Sequence, residues 1–400
     1  MSRTSSSAVG PVAGEASGRL GAVMRRVAAS TGLTPALARD ALLIFVASRI
    51  GFIVLTLVLL PTQHAASGGA AFLDAWGRLD ALRYAAIADH GYTTGAHADN
   101  AAFFPLMPLL MRLVSPLAGG NSIVAGLIVA NAAYLAALLG LAALAAHEYD
   151  TATARRAMVY LTLFPAALFC FAGYTESLFL ALSIWCLVAI RRHQWWQAGA
   201  LSMLAAATRQ VGVFLVVPML YEHLALARWQ LRRLRPTVLW ALLAPVGPLL
   251  FAWWLGRTVG DPLAFAHAQR FWYRQFAFPW NTFHRVLVEL PKQTPLVLLV
   301  RGVIDLAAVL LFAGLIVLGA RRWRAGDTIY ASALWVLAIC YPSLYWPLLS
   351  DTRFMLAEVP CFVLLAALGR RRWVNIVVPV VFAALLLVMT YYFFTTQQIL

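Results

Sequence analysis

Apolar residues in this chain run on in long unbroken stretches instead of alternating with polar ones. The first, Ala41–Leu60, has about the 20 residues that one helix needs to cross a hydrocarbon core. Further runs cover 122–146, 157–173, 176–190, 237–256, 295–320, 329–348, 354–369 and 374–394. Runs this long without a period of two predict helices, and an open sheet edge has no partner in lipid. Two stretches break the pattern. Residues 103–118 carry Pro105, Pro108, Arg112 and Pro116 and read as an interfacial or re-entrant segment. Residues 197–222 are interrupted by Thr208-Arg209-Gln210, and read as two half-helices that dip in and return.

The gaps between runs are basic. Arg25-Arg26, Arg155-Arg156, Arg191-Arg192, Arg232-Arg233, Arg321-Arg322 and Arg370-Arg371-Arg372 each lie beside an apolar run. Cytoplasmic loops hold basic residues in this way and so fix orientation. With 197–222 returning on itself, all of these gaps fall on one side, which predicts roughly 10–12 membrane segments. Residues 1–40, rich in Ser, Gly, Ala and Arg, read as a cytosolic basic tail without a cleaved signal peptide. Residues 41–400 then form the membrane domain, with external loops at 61–102 and 257–294.

Composition narrows the class. Hydrophobic residues make up 62% of the 400 and charged residues 12%, where soluble domains carry about 25% charged residues. A soluble, disordered or disulfide-scaffold protein is excluded. The net charge of +15 sits in the short gaps, and no basic segment interleaved with aromatics exists to bind nucleic acid. Cys170, Cys186, Cys340 and Cys361 all lie in apolar runs without a CxxC pair, so neither a disulfide framework nor a metal site is expected. No cofactor signature is present, and the pattern is silent on divalent metal.

Only 16 acids exist to carry chemistry. Asp305 lies inside a span four residues after Arg301, where an i,i+4 ion pair neutralises it. Asp80 stands out. Read as one helix, Trp76–Ile87 places Trp76, Asp80, Tyr84 and Ile87 on a single stripe at the membrane edge. Such a stripe offers a general base beside aromatic faces for a sugar or lipid. It equally describes an interfacial helix with Asp80 merely paired to Arg78 or Arg83.

The run WGRLDALRYAAIADHGY (76–92), followed by AFFPLMPLLMRL (102–113), resembles the first external loop of the PIG-V-like mannosyltransferases. AGYTESLFLALS (172–183), ATRQVGVFL (207–215) and SDTRFMLAEVP (350–360) are similar to later motifs of that family, in the same order. The chain departs from the family at Leu79, Arg83, Met107 and Phe354. The resemblance implies an all-α, polytopic transmembrane helical bundle of GT-C type. It implies inverting transfer of a sugar, mannose, from a polyprenyl-phosphate donor to a hydroxyl of a lipid or glycan acceptor, on the non-cytoplasmic face of the cell membrane. Asp80 becomes the expected catalytic base, and Arg209 and Arg353 the expected ligands of the donor phosphate. Trp76, Tyr84, Phe104, Tyr174, Glu176, His267 and Trp272 become expected substrate contacts. Thr175-Glu176 also suits a plain helix N-terminus, and the aromatics of 257–294 also suit an interfacial belt. A secondary transporter or lipid flippase is the rival reading. It calls for repeat symmetry and intramembrane acid relays, for which the chain offers no repeat and only Asp305 and Glu358.

Overall fold

The computed structural model describes residues 32–60, 69–294 and 296–396, so most of the expected tail lies outside the described residues. Among the described residues the architecture is helical, and the only strand-like pairing is one antiparallel bridge between Arg274 and Ser343. The first helix, α1 (Pro35–Leu59), starts ahead of the apolar run that predicts it. Thr34 sets the start: its side chain accepts the Leu37 N–H at 3.3 Å, and Pro35 fills the first helical position, where a missing N–H costs nothing.

The segment expected as the first external loop contains α2 (Gly69–Trp76) and α3 (Asp80–His90). The single helix expected across 76–87 is therefore broken. Gly77 packs too closely for a side chain: a Cβ there would stand 2.9 Å from the Leu73 carbonyl oxygen. Leu79 then takes a left-handed φ of 54°, an unfavourable conformation for a residue with a Cβ. The break turns Trp76 inward and makes Asp80 the first residue of a new helix.

After α4 (Leu106–Val114) come the central helices α5 (Ser122–Glu148), α6 (Thr151–Leu163) and α7 (Glu176–Arg191). The run expected as a helix over 157–173 ends early, at Leu163. Pro165 disfavours helical backbone at Phe164, whose ψ is 141°. The chain then makes a tight turn to reach α7. Gly126 of α5 and Gly173 of that turn touch through their backbones, since a Cβ on Gly173 would lie 3.3 Å from the Gly126 Cα. This close approach seats the start of α7 against α5.

Helices α8 (Trp195–Thr208) and α9 (Val216–Leu226) form the expected returning pair. Their far ends meet: the Trp195 and His223 ring centroids are 3.8 Å apart, and His193 lies 3.5 Å from Glu222. Arg209 occupies the tip. Gly212 makes the reversal possible, because a Cβ there would stand 2.4 Å from the Ala206 nitrogen. A 3-10 segment, Pro236–Leu243, leads at a 41° bend into α10 (Val246–Thr258). The remaining helices are α11 (Ala264–His267), α12 (Pro279–Glu289), α13 (Leu296–Gly319), α14 (Ala325–Cys340), α15 (Asp351–Met355), α16 (Val359–Leu368) and α17 (Arg372–Thr395).

Among the described residues four helices, α1, α5, α13 and α17, are long and apolar enough to cross a membrane, five if the bent pair counts as one span. That is fewer than the sequence pattern predicts. Prolines shorten the others: α6 stops before Pro165, and α14 stops at Cys340 just ahead of Pro342. The shortened apolar segments pack among the long ones, as in a multi-pass membrane protein.

One end of the bundle is closed by ion pairs among the basic gaps. Arg191 joins Glu148 and Asp327, Arg324 reaches Glu222 at 2.6 Å, and Arg370 reaches Asp150 at 2.5 Å. Asp150 also caps α6, accepting the Thr153 N–H at 2.6 Å. These bonds, that from Thr153 foremost, hold its carboxyl down at about 2. Replacing Asp150 with Ala is expected to cost about 1 kcal/mol, less whatever solvent screens at this open site. A depressed carboxyl stabilises the folded form above its unfolded value and loses that contribution as pH falls through its folded one. Thermal unfolding of the detergent-purified protein should therefore show the wild-type advantage at neutral pH, and show it vanish toward pH ~2.

Candidate active site

At the other end of α7, four chain segments bring four charged side chains together. Arg353, on α15, lies at the centre. Its Nε donates to Glu176 Oε1 at 2.9 Å, and its Nη2 donates to the same oxygen at 2.7 Å and to Asp80 Oδ2 at 2.8 Å. Arg209, at the tip of the α8–α9 hairpin, brings Nη2 to 3.4 Å from Glu176 Oε1. The Arg353 guanidinium carbon lies 4.6 Å from the Phe169 ring centroid and 4.9 Å from that of Tyr174. Flanking π-faces hold a weakly hydrated guanidinium well.

Each segment is fixed by backbone contacts. Arg78, two residues before Asp80, donates to the carbonyls of Phe393 and Phe394 at 3.2 and 2.9 Å. Its own carbonyl accepts the Tyr174 hydroxyl at 3.1 Å. The turn before Glu176 is buttressed from α1 and α5. Arg49 donates to the Cys170 carbonyl at 2.9 Å and to Asn131 Oδ1 at 2.6 Å, and Asn131 donates to the Phe171 carbonyl at 3.0 Å. On α15, Ser350 takes a left-handed φ of 65° immediately before Asp351, as Leu79 does before Asp80. Both chemistry-bearing helices thus start from a constrained residue, a form of strain worth of order 1–3 kcal/mol per site.

Exposure separates the four charges. The side chains of Asp80 and Arg209 are 24% and 17% open, that of Arg353 is 10% open, and Glu176 is sealed at 0%. Glu176 therefore cannot touch a substrate in this conformation; what it does is hold two arginines in place. Arg353 has committed Nε and Nη2 to carboxylates, whereas among the described residues Arg209 makes one long ion pair, to Glu176. Asp80 uses Oδ2 alone. The arrangement offers a reachable carboxylate and a reachable guanidinium on either side of a clamped Arg353.

The remaining expected residues divide. Tyr84 lies one turn beyond Asp80, with its ring edge-on to Phe103 at 5.0 Å, and Phe103 meets Trp272 at 5.6 Å. Burial, with the nearby Asp80 charge, pushes the Tyr84 phenol up. Tyr174 belongs to the cluster through Arg353. Trp76 does not. It is fully buried among Phe52, Phe171, Phe393 and Phe394, with its indole N–H on Thr56 at 3.1 Å. The break at Gly77 rotated it from the expected stripe into the core. Phe104 packs with Phe251 and Phe265 in a separate apolar cluster. His267 pairs with Asp261 at 2.7 Å on the exposed second loop. Of the partners considered for Asp80, Arg83 is bound to Asp99 instead. Sequence reasoning missed Arg49, whose signal was a charge in the middle of an apolar run. It also missed Asn131 and Arg274, which carry no local signal. Among the described residues, no three His, Cys, Asp or Glu side chains converge as metal ligands would.

The sequence profile of the family described as Mannosyltransferase (PIG-V) matches residues 63–367. The chain belongs to this family. All four charged residues of the cluster fall inside the matched span. Among curated proteins, this PIG-V family member is 33% identical to the GPI alpha-1,6-mannosyltransferase 2 of Rattus norvegicus over 178 residues, covering 41% of this chain and 36% of the rat protein. The human protein of that name is 29% identical over 211 residues, covering 50% and 41% of the two chains. The aligned region thus spans well under half the length of these relatives. Among solved structures, ArnT from Cupriavidus metallidurans bound to undecaprenyl phosphate aligns with a TM-score of 0.49 at 17% identity, covering 83% of this chain and 60% of that one.

Proposed function

We propose that this PIG-V family member is an inverting mannosyltransferase of GT-C type. It takes mannose from a polyprenyl-phosphate donor at the non-cytoplasmic membrane face and passes it to a hydroxyl of a lipid or glycan acceptor. One observation carries the reading: a reachable Asp80 and a reachable Arg209 flank Arg353, which Glu176 anchors from behind. Asp80 takes the proton from the acceptor hydroxyl. The freed oxygen attacks the anomeric carbon in line, forming the new glycosidic bond as the bond to the phosphate oxygen breaks. The prenyl phosphate leaves with the electron pair. Arg209, and any Arg353 donor not spent on carboxylates, stabilise its growing charge in a site of low dielectric. The family's activity and the names of the curated relatives support mannose; the ArnT ligand is a lipid phosphate of the proposed kind.

The face is supported by helix direction. Glu176 starts α7 and Arg191 ends it, a separation of about 22 Å at 1.5 Å per residue. The Arg-rich gaps sit with Arg191 and are expected in the cytoplasm. A single cysteine placed at Arg233 in a Cys-free background should resist membrane-impermeant maleimide in intact cells, and one placed at Asp261 should react. Reversal of the two would overturn the assigned face. The transport reading needed an acid relay, but Asp305 is committed to Thr352 at 2.9 and 2.6 Å and to Arg301 at 3.7 Å, leaving Glu358 alone. The activity itself is tested by incubating purified protein with labelled polyprenyl-phosphate mannose and a membrane-lipid extract. Labelled lipid is expected. Hydrolysis without transfer, or no turnover, counts against the assignment.

A further inference from the structure

The second external loop reaches the site at one point. Tyr273 takes a left-handed φ of 51°, and its carbonyl accepts the Leu344 N–H at 2.9 Å. Ser343 Oγ donates to the Trp272 carbonyl at 3.1 Å, and the Ala277 N–H reaches the Cys340 carbonyl at 2.9 Å. These bonds stitch 272–277 onto the segment leading to α15 and turn Arg274 inward. The Arg274 guanidinium donates from Nη1 to the Tyr341 carbonyl at 2.8 Å and from Nη2 to the Leu349 carbonyl at 2.7 Å. Its carbon then lies 5.1 Å from the centroid of Phe354, the neighbour of Arg353. The Arg209 guanidinium lies 5.8 Å from the same ring.

Two cations therefore approach one aromatic ring, and their charges are balanced unequally. Arg353 and Arg209 share the carboxylates of Asp80 and Glu176. Among the described residues, Arg274 donates only to backbone carbonyls. The acid nearest in charge, Asp351, makes no ion pair with it; both its oxygens are buried without a hydrogen-bond partner. Burial pushes that carboxyl well above the usual carboxylate range, against the pull of the nearby Arg274 and Arg301 charges. Two of the five guanidinium N–H groups suffice for the carbonyl bonds, leaving donors for a further acceptor. A staple for two carbonyls needs no charge. A second guanidinium beside the same Phe354 ring as Arg209, bonded to carbonyls and not to an acid, is what needs explaining.

We propose that Arg274 is the loop-side half of a phosphate clamp whose bundle-side half is Arg209, so that the second external loop recognises the phosphate of the lipid-linked donor. This rests on the polyprenyl-phosphate reading above. The clamp explains why the loop is sewn down beside α15, and it assigns phosphate recognition to a residue on neither transmembrane hairpin nor first loop.

The test compares binding of undecaprenyl phosphate and of undecaprenol to the purified full-length chain in nanodiscs, for the wild type, Arg209→Ala, Arg274→Gln and Arg274→Lys. The wild type should prefer the phosphate. Arg274→Gln keeps a donor for one carbonyl but loses the charge, and should reduce that preference about tenfold to a hundredfold, with undecaprenol binding unchanged. Arg274→Lys should keep part of the preference and lose it more steeply with added salt. Equal loss of both lipids in Arg274→Gln makes the residue a staple and overturns the proposal. A preference retained in Arg274→Gln but lost in Arg209→Ala overturns it while sparing the donor reading. No preference in the wild type overturns the donor reading itself. If Arg274→Gln does not survive extraction, Arg274→Lys decides: wild-type preference with wild-type salt dependence refutes the clamp.

Discussion

Asp80→Asn is expected to fold, to bind the donor and to transfer sugar about 10²–10⁴ times more slowly, the usual cost of losing a positioned general base. The amide keeps the shape and still accepts a hydrogen bond from Arg353, but it has no basic lone pair for the acceptor proton. The loss should therefore fall on kcat, leaving the KM for donor near its wild-type value. Stability separates this from a structural effect. In the amide variant the bond from Arg353 to the side-chain oxygen can persist and Glu176 still neutralises the guanidinium, so protein abundance and Tm should stay near the wild type. The control is Asp89→Asn, on the same helix as Asp80, which disturbs a hydrogen bond donated by Ser122 of α5, away from Arg353. Scored at equal protein abundance in the same membranes, equal transfer by the two variants would remove Asp80 from the mechanism.

Glu176→Gln should do the opposite and fail through folding. Glu176 is the one sealed carboxylate of the cluster, and it faces two guanidinium groups. Losing its charge leaves Arg209 without a carboxylate partner and Arg353 with Asp80 alone, a change worth about 3–5 kcal/mol. The expected result is a sharp fall in extractable protein and in its Tm. Adding Arg353→Met should return much of both, because removing both members of a buried pair costs far less than removing one. The double variant should still be inactive, since Asp80 then loses the arginine that positions it. If Glu176→Gln alone extracts and melts like the wild type, Glu176 is not the anchor described here.

These two outcomes divide roles that the sequence could name only as a group. Asp80, Arg209, Arg353 and Glu176 were all legible as motif residues, and so was the return of the chain at Arg209. Their pairing was not, because Arg353 and Asp80 are 273 positions apart and nothing local ties them. The family resemblance makes Glu176 an expected substrate contact, with a plain helix start as the alternative. Its complete enclosure depends on the turn after Pro165 and on the Gly126–Gly173 contact, which are properties of packing. Trp76 was misplaced for a different reason. A helical stripe drawn through 76–87 assumes an unbroken helix, and the Gly77 between Trp76 and Asp80 was the available warning. Arg49 stood in plain view as a charge within the first apolar run, yet it binds an amide and a carbonyl instead of an acid.

The long reach of these bonds also sets an order of manufacture. Glu176 leaves the ribosome 177 residues before Arg353, and at about 5–20 residues per second that is a wait of roughly ten to thirty seconds. Arg78, which holds Asp80 in register, waits longer still for the Phe393 and Phe394 carbonyls, the latter 316 positions downstream. During synthesis a carboxylate destined for a sealed interior must be kept wet or held by the insertion machinery until its guanidinium arrives. Lesions in α15 or α17 will consequently reach the cell as assembly defects, cleared by quality control before any sugar is presented, and their phenotype will be measured in protein half-life.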